Sequence, residues 1–578
     1  MTRFSPTARF FTPPILLLLG CVAGYAATRS SAFSVDEPRL VSARLTTSFE
    51  TNRSKNSSKQ ADTAGPTSAD GKAIAPDEIE AQVAIRKIAP EAEQKLFQKS
   101  DGGIQESLDD NSSFEREYTP SARSKSLLRV ARRVGASPVN LQVPCRIENE
   151  SGDCDVYALD RYFTALDRVD SAADDVNPHA DAGQANESTD NDVRMVTLGN
   201  SLIASDRITN ISRARFQQRF GKGGGGFFLV DRQADYGGRA RTGYANRSWQ
   251  VYNFSQGDRG RYPHGLPGVH HVSTRRGART TWRIKGDTEG RLFWLDHKRA
   301  PSMDLYADNN LLLHIEPSSE GAFGSRRGAL ADTSFAIPEG TKKLRLTVNG
   351  RGAVVEGLSL NAPRKGAHFD AFGVVAADAR VWLGADETLF NEGMRHRDPH
   401  LVLLMLGGNE VRRVAWGKYG YRTVRSKAEK FIARIRKATP KSDCLVVGPL
   451  HAVRGKNHRT PFATRPQLAR VNQIYQDVAL EKGCAFFDTY RSMGGRRALK
   501  RFYDNGLLHE DLVHPRGKGL DLLGEFVFQA LMKNWVETPA NPNAFQEEVP
   551  APTESADEAA PEKKSDAGAA STLQENIP

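Results

Sequence analysis

The chain has 578 residues, of which 39% are hydrophobic and 26% charged, with 80 basic side chains against 69 acidic ones for a formal charge of +11. That length suits several domains, and the polar balance excludes a multi-span membrane protein. Five cysteines in so long a chain rule out a disulfide-dense mini-scaffold. The positive charge favours anionic surroundings, and since it is not gathered into one patch, nucleic acid is not an expected partner.

Residues 1–27 read as an export signal or membrane anchor. Arg3 and Arg9 form a basic lead, followed by an apolar run from Ile15 towards Ala27. The run is short against the roughly twenty residues of a spanning helix and suits a signal core. Leu18-Leu19-Gly20-Cys21 resembles a lipobox that would acylate Cys21. A cut near Ala26 and an uncleaved anchor are the alternatives. Residues 28–127 are rich in Ser, Thr, Ala, Asp, Lys and Gln without sustained periodicity, so a disordered tether is expected there. A lead-in containing a cysteine pair covers 128–190, and 539–578 reads as a disordered acidic tail.

The folded part alternates between two textures. Val193 to Gly199 reads as a buried strand followed by a helix to Phe220, giving an α/β segment over 191–235. Across 236–363 the pattern changes to short alternating runs, including Thr280 to Lys285, Leu292 to His297, Met303 to Ala307, Leu344 to Val348 and Val354 to Leu360. Half-buried strands at that spacing predict an all-β sandwich. From 364 to 538 the α/β texture returns, with apolar runs at Leu401 to Leu406, Cys444 to Gly448 and Cys484 to Phe487 separated by helical patterns. Strand–helix alternation predicts a doubly wound parallel sheet, so the fold class is α/β with the sandwich inserted after the first βα unit.

Cys145 with Cys154 and Cys444 with Cys484 read as two disulfides or as two pairs of buried thiols; an oxidising compartment permits both bonds. Neither pair has zinc spacing, and no metal or cofactor is expected.

Three segments carry candidate chemistry. Gly199-Asn200-Ser201 lies between strand and helix, at the sheet edge where open α/β folds place ligands. Serine needs a base to become a nucleophile, and Asp511-Leu512-Val513-His514 supplies an imidazole with a carboxylate to orient it. Gly407-Gly408-Asn409-Glu410 ends a strand, where the Asn409 amide could donate to an oxyanion. In this order the segments resemble the SGNH (GDSL-type) hydrolase family, over about 190–232 and 365–538.

The resemblance implies Ser201 as nucleophile, His514 as general base, Asp511 as its orienting partner, and an oxyanion hole from Ser201, Ala376 and Asn409. Two positions depart from the family pattern: Asn200 stands where the family has aspartate, and Ala376 where a glycine is expected. Gln217 to Gly221 running into Gly223 to Phe228, Cys444 to Pro449, and Cys484 to Asp488 followed by Met493-Gly494-Gly495 look like the two-domain bacterial subgroup that includes peptidoglycan O-acetylesterases, in which a carbohydrate-binding-like sandwich is inserted. By that likeness the chain is an exported serine esterase of the cell envelope, tethered through its N-terminus and removing O-acetyl groups from an acylated polysaccharide such as peptidoglycan. The rival readings are an O-acyltransferase with the same triad and a catalytically silent glycan-binding protein.

Other features read as structural. Gly221 to Gly226 lacks the Gly-Lys-Ser/Thr of a phosphate loop and is expected to form a wall of the active-site cleft. His264, His270 and His271 read as surface or loop histidines; Trp249, Trp282 and Trp294 read as buried aromatics before sugar-stacking platforms; and the basic stretch 422–441 reads as a solvated helix face.

Overall fold

The computed structural model describes residues 116–174, 192–233, 241–256, 259–318, 328–362, 366–541 and 543–545. The leader, Cys21 and most of the expected tether and tail lie outside the described residues.

The described chain enters through α1 (Ala122–Arg133), the hairpin β1 (Cys145–Glu148) and β2 (Cys154–Tyr157), and α2 (Asp160–Asp174). The α/β part opens with β3 (Val193–Gly199), the helical turn α3 (Ser201–Ala204) and α4 (Arg207–Phe220). Next come β4 (Gly226–Phe228), β5 (Trp249–Asn253), β6 (Val269–Ser273), β7 (Ala278–Arg283), β8 (Glu289–Asp296), β9 (Met303–Ala307), β10 (Asn310–Ile315), β11 (Ala329–Ala336), β12 (Lys343–Val348) and β13 (Val354–Asn361). The α/β part resumes with β14 (Ala367–Gly373), α5 (Ala379–Trp382), α6 (Glu387–Arg397), β15 (Leu401–Met405), α7 (Gly408–Ala415), α8 (Tyr421–Ala438), β16 (Asp443–Val447), α9 (Gln467–Glu481), β17 (Ala485–Phe487), α10 (Thr489–Ser492), α11 (Ala498–Asp504) and α12 (Lys518–Glu537).

The central sheet is parallel in the order β14-β3-β15-β16-β17. Its strands are apolar on both faces because helices cover both. Leu401, Leu403 and Met405 of β15 point into one core with α2, α4 and α12, and Val402, Leu404 and Leu406 into the other with α8 and α9. The first strand in sequence, β3, lies between the second and third, so the winding reverses there. Ligands of doubly wound folds sit at that reversal, outside the carboxyl ends of the strands. Register makes this concrete: Gly199 pairs with Gly373 of β14 and with Met405 of β15, so the loops carrying Ser201, Ala376 and Asn409 leave the sheet side by side.

The inserted strands form two antiparallel sheets among the described residues, β10-β9-β12-β7 and β11-β8-β13-β6-β5, with β4 also on β13. Trp282, Leu305, Leu344 and Leu346 of the first meet Leu292, Trp294, Val355 and Leu358 of the second in one core, which makes them a sandwich. The outer face of the larger sheet packs Phe227, Val269 and Phe293 against Phe372, Phe390 and Met394 of the α/β part. Both disulfides form, Cys145–Cys154 closing the β1–β2 hairpin and Cys444–Cys484 joining the starts of neighbouring strands.

Four expectations need correction. The ordered part starts before 128: Ser121 caps α1, accepting the Ser124 N–H at 3.2 Å, and the buried Arg116 donates to Asp167 at 2.7 Å and to the Trp535 carbonyl at 3.0 Å. Order also runs past 538, where Asn541 donates to the Asp155 carbonyl and the buried Ala544 accepts from Arg161. In both places polar bonds to distant segments are joined by some apolar packing: Tyr118 packs edge-on against Phe528 with ring centres 5.5 Å apart, and Ala544 is fully buried.

His264, His270 and His271 are buried rather than exposed. His270 and His271 are successive on β6, an inner strand covered on both faces, so both alternating directions lead inward; His264 packs on His270 with ring centres 4.4 Å apart. The glycine run 221–226 does not line the cleft beside Ser201 but threads between β14 and β13. At Gly224, with φ +124°, an added Cβ would lie 2.5 Å from the Asn361 Cα, so only glycine fits. Of the tryptophans, Trp282 and Trp294 are buried and Trp249 is partly so.

Candidate active site

Ser201 begins α3 immediately after β3. The Asn200 side-chain oxygen accepts the Leu202 N–H at 3.0 Å, and its carbonyl accepts those of Ile203 and Ala204. This is the N-cap task for which aspartate and asparagine serve equally. Asn200 is 4% exposed, so the amide supplies the acceptor without the cost of desolvating a carboxylate. Gly373, at the end of β14, lets the turn sit close: a Cβ there would be 2.0 Å from the Ala204 N.

The turn before α12 brings the other two members. Asp511 Oδ1 accepts the N–H groups of Val513 at 2.8 Å and His514 at 3.0 Å, while Oδ2 lies 2.7 Å from His514 Nδ1. Both oxygens are thereby used, and the carboxylate fixes backbone and ring together. Leu512 adopts φ +56° to make the turn, held there by a buried side chain. His514 Nε2 lies 3.1 Å from Ser201 Oγ. A carboxylate only accepts, so Nδ1 carries the proton facing Asp511 and Nε2 is left to accept from the Ser201 hydroxyl. Burial pushes the Asp511 carboxyl up, but the bonds from the His514 ring and from the His514 and Val513 N–H groups outweigh it and hold the group below the usual range.

Ser201, Ala376, Asn409, Asp511 and His514 all line one cleft of about 750 Å³. The N–H groups of Ser201 and Ala376 make no hydrogen bond among the described residues. Ala376 stands at φ +60°, the left-handed region that explains a glycine preference at this point. Asn409 Nδ2 donates to the Ala377 carbonyl at 2.7 Å, which commits one of its two N–H bonds to the loop and leaves the second. Three donors and a serine–imidazole–carboxylate series on one rim can activate a hydroxyl and stabilise charge on a carbonyl oxygen.

The residues that hold these loops together were not singled out from sequence. Gln233 donates to the Gly373 carbonyl at 2.9 Å and accepts the Val375 N–H at 3.2 Å, bracketing the approach to Ala376. Glu410 is buried and accepts from the Gly407 N–H, the Ala379 N–H and the Tyr475 hydroxyl, tying the loop after β15 to the loop after β14. Burial, with the nearby Asp378 charge, pushes its carboxyl up to about 7. The Asn-Glu dipeptide was visible in the sequence; the job of its second member was not. Arg412, one helical step beyond Asn409, also lines the cleft. Among the described residues no three His, Cys, Asp or Glu side chains gather as a metal-binding group, and no helix is long and apolar enough to cross a membrane.

Residues 360–522 match the model of the GDSL-like Lipase/Acylhydrolase family. The match begins where the insertion ends, so it contains Ala376, Asn409, Asp511 and His514 but not β3 or Ser201, which only the three-dimensional sheet restores to its centre. No curated protein sequence matches the chain. Among solved structures, the chain is similar to a peptidoglycan O-acetylesterase at 19% identity and TM-score 0.52, over 65% of this chain and 97% of that one. It is also similar to a lipase/acylhydrolase from Enterococcus faecalis at 18% identity and TM-score 0.23, over 29% of this chain and 78% of that one. An acetyl-xylooligosaccharide esterase from Geobacillus matches at 16% and 0.22, over 30% and 74%.

Proposed function

We propose that this chain, which contains a GDSL-like lipase/acylhydrolase domain at residues 360–522, is a serine esterase that removes O-acetyl groups from an envelope glycan, peptidoglycan foremost. The observation that carries the reading is the unbroken series from Ser201 Oγ to His514 Nε2 at 3.1 Å and from His514 Nδ1 to Asp511 at 2.7 Å, at the reversal point of the parallel sheet.

In this reading the Ser201 hydroxyl passes its proton to His514 Nε2 as Oγ attacks the ester carbonyl carbon. The negative charge moves to the carbonyl oxygen, where the Ser201 and Ala376 N–H groups and the Asn409 amide stabilise it. Collapse breaks the bond to the sugar oxygen, which takes the proton from His514 and leaves an acetyl-Ser201. A water then gives its proton to His514 as it attacks the acyl carbon, and collapse breaks the bond to Ser201 Oγ, which takes that proton back from His514 as the acetyl group leaves as acetic acid. The imidazole and carboxylate side chains are 39% and 48% exposed, so water has ready access. That favours hydrolysis over transfer to a second sugar hydroxyl. The intact relay and the capping role of Asn200 weigh against a silent relative.

The fold similarity to a peptidoglycan O-acetylesterase, over 97% of that chain, supports the acetylated-glycan assignment, and the two disulfides fit an oxidising envelope compartment. Anchoring through residues 1–27 belongs to the same proposal. The test is hydrolysis of a phenyl acetate and of O-acetylated peptidoglycan, with fluorophosphonate labelling. Ser201→Ala and His514→Ala should each lower kcat by about 10⁴-fold or more and abolish labelling, and Asp511→Asn by about 10²- to 10⁴-fold. Labelling that survives Ser201→Ala sinks the assignment.

A further inference from the structure

Beside the catalytic hydroxyl lies a second, smaller cavity of about 70 Å³, whose walls include Ser201, His514, Asn409, Arg412 and Arg465. Two arginines therefore border the same space as Ser201 and His514. Arg412 sits on α7, three residues after Asn409, which places both on one side of the helix. Among the described residues it pairs with no carboxylate; its guanidinium carbon rests 5.0 Å from the ring centre of Trp416, which is 54% exposed. Arg465 ends the loop between β16 and α9 and donates one N–H to the Arg454 carbonyl at 3.1 Å. It too has no acidic partner among the described residues.

Among the described residues no carboxylate forms an ion pair with either cation. The loop 448–466 contains Arg454, Lys456, Arg459 and Arg465 and no aspartate or glutamate. Asp511 is committed to His514, and Glu510 lies 3.9 Å from Lys456. Burial, and then repulsion from Arg412, pull the Arg465 guanidinium below its ordinary value, a sign that the pair is close enough to interact. Two like charges bordering one cavity, with no paired carboxylate among the described residues, form a site prepared for an anion. The guanidinium fork matches a carboxylate's two oxygens.

We propose that Arg412 and Arg465 form a carboxylate-recognition subsite, so that the glycan this protein selects bears a carboxylate on the acylated sugar or its immediate neighbour, a proposal that rests on the esterase reading above for the acyl chemistry. Two sources of such a carboxylate are probed: a sugar with a carboxyl-bearing ether substituent, such as muramic acid with its carboxyl unamidated, and a uronic acid.

Calorimetric titration of the full chain carrying Ser201→Ala separates the possibilities without requiring turnover. The probes are an N-acetylglucosaminyl–N-acetylmuramic acid disaccharide and a galacturonic acid trimer, each beside its carboxyl-reduced alcohol. At least one acid should bind about tenfold or more tightly than its alcohol, and which one identifies the source of the carboxylate. The preference should disappear in Arg412→Gln/Arg465→Gln and shrink as sodium chloride is raised about tenfold. Both substitutions are at partly exposed side chains, and an unchanged unfolding midpoint certifies the fold. Indistinguishable acid and alcohol in both pairs, including no binding of either, or an acid preference that survives the double substitution, overturns the proposal. Phenyl acetate hydrolysis by the unsubstituted chain reports separately on the esterase reading: inactivity there with the acid preference intact would sink the esterase and leave the subsite standing.

Discussion

Ala376 has the backbone of a glycine and the side chain of something else. An L-residue at φ +60° costs about 1 kcal/mol from crowding of its Cβ. The conformation is nevertheless over-determined: the Val375 N–H goes to Gln233, the Ala377 N–H to the Val374 carbonyl, and the Ala377 carbonyl accepts from Asn409. Ala376→Gly should keep ester hydrolysis within about threefold and leave stability unchanged or higher by up to about 1 kcal/mol, since relief of strain opposes the added freedom of the unfolded chain. Ala376→Val, β-branched in the left-handed region, should cost about tenfold or more in kcat. Rates and unfolding midpoints of the pair check this, and a Val variant as active as the Gly variant would remove Ala376 from the oxyanion site. Ser201, Asp511 and His514 were legible because each chemical type stands at a recognisable strand end or helix start. Gln233 and Arg412 were not, because an isolated glutamine or arginine carries no local signature of what it will touch.

At the scale of elements, the loops after β3, β14 and β15 are aligned by register and then locked by a few side chains from elsewhere. Gln233 comes from the segment leading into the inserted strands, so the insertion itself reaches back to brace the site. Gln233→Ala leaves the Val375 N–H without its acceptor and the Gly373 carbonyl without its donor, a loss of about 1–3 kcal/mol if water does not replace it. The expected outcome is kcat lower by about tenfold with KM little changed, because Ala376 is displaced while the substrate walls remain; a shift confined to KM would argue against the bracing role. Sandwich strands with alternating burial, such as β9 and β12, were readable from their period. The strands β5, β6 and β11 were not, since β6 carries two histidines at inward positions and β11 is built from Ala, Asp, Thr and Ser around single apolar residues.

For the molecule as a whole, stability should depend on pH through groups the chemistry does not use. Burial pulls His264 down to about 4 and His271 to about 3, and drives His270 well below its ordinary value. Burial likewise lowers His400 and His451 to about 4. A histidine whose folded value lies below its unfolded one stabilises the fold above about pH 6.5, and that contribution is lost as pH falls towards the folded value. Glu356, pushed by burial to about 8, and Glu410, at about 7, act in the opposite sense. Their contribution is complete below the unfolded carboxyl value and is lost as pH rises through 7 to 8. The histidines outnumber the glutamates, so the unfolding midpoint should fall on acidification from pH 6.5 to 4.5. Each histidine contributes up to about 1.4 kcal/mol per pH unit. Calorimetric scans should show a shallower decline for His271→Phe; identical slopes would mean that this ring is not the titrating group.

By itself the sequence determined the alternation of textures, hence an α/β sheet with a sandwich in its midst, and it pointed to the residues that the fold gathers at one rim. Those are local properties: periodicity records which side of one segment is buried, and a motif records what a few neighbouring residues can do together. Only the tertiary structure decided that Gly199, Gly373 and Met405 end in register, that Gln233 and Glu410 hold the donor loops, that Arg412 and Arg465 border the space beside Ser201, and that three sandwich histidines are buried. Each of these depends on segments far apart in the chain meeting at distances of a few ångströms. Packing between elements sets such meetings, and no single stretch of sequence encodes them.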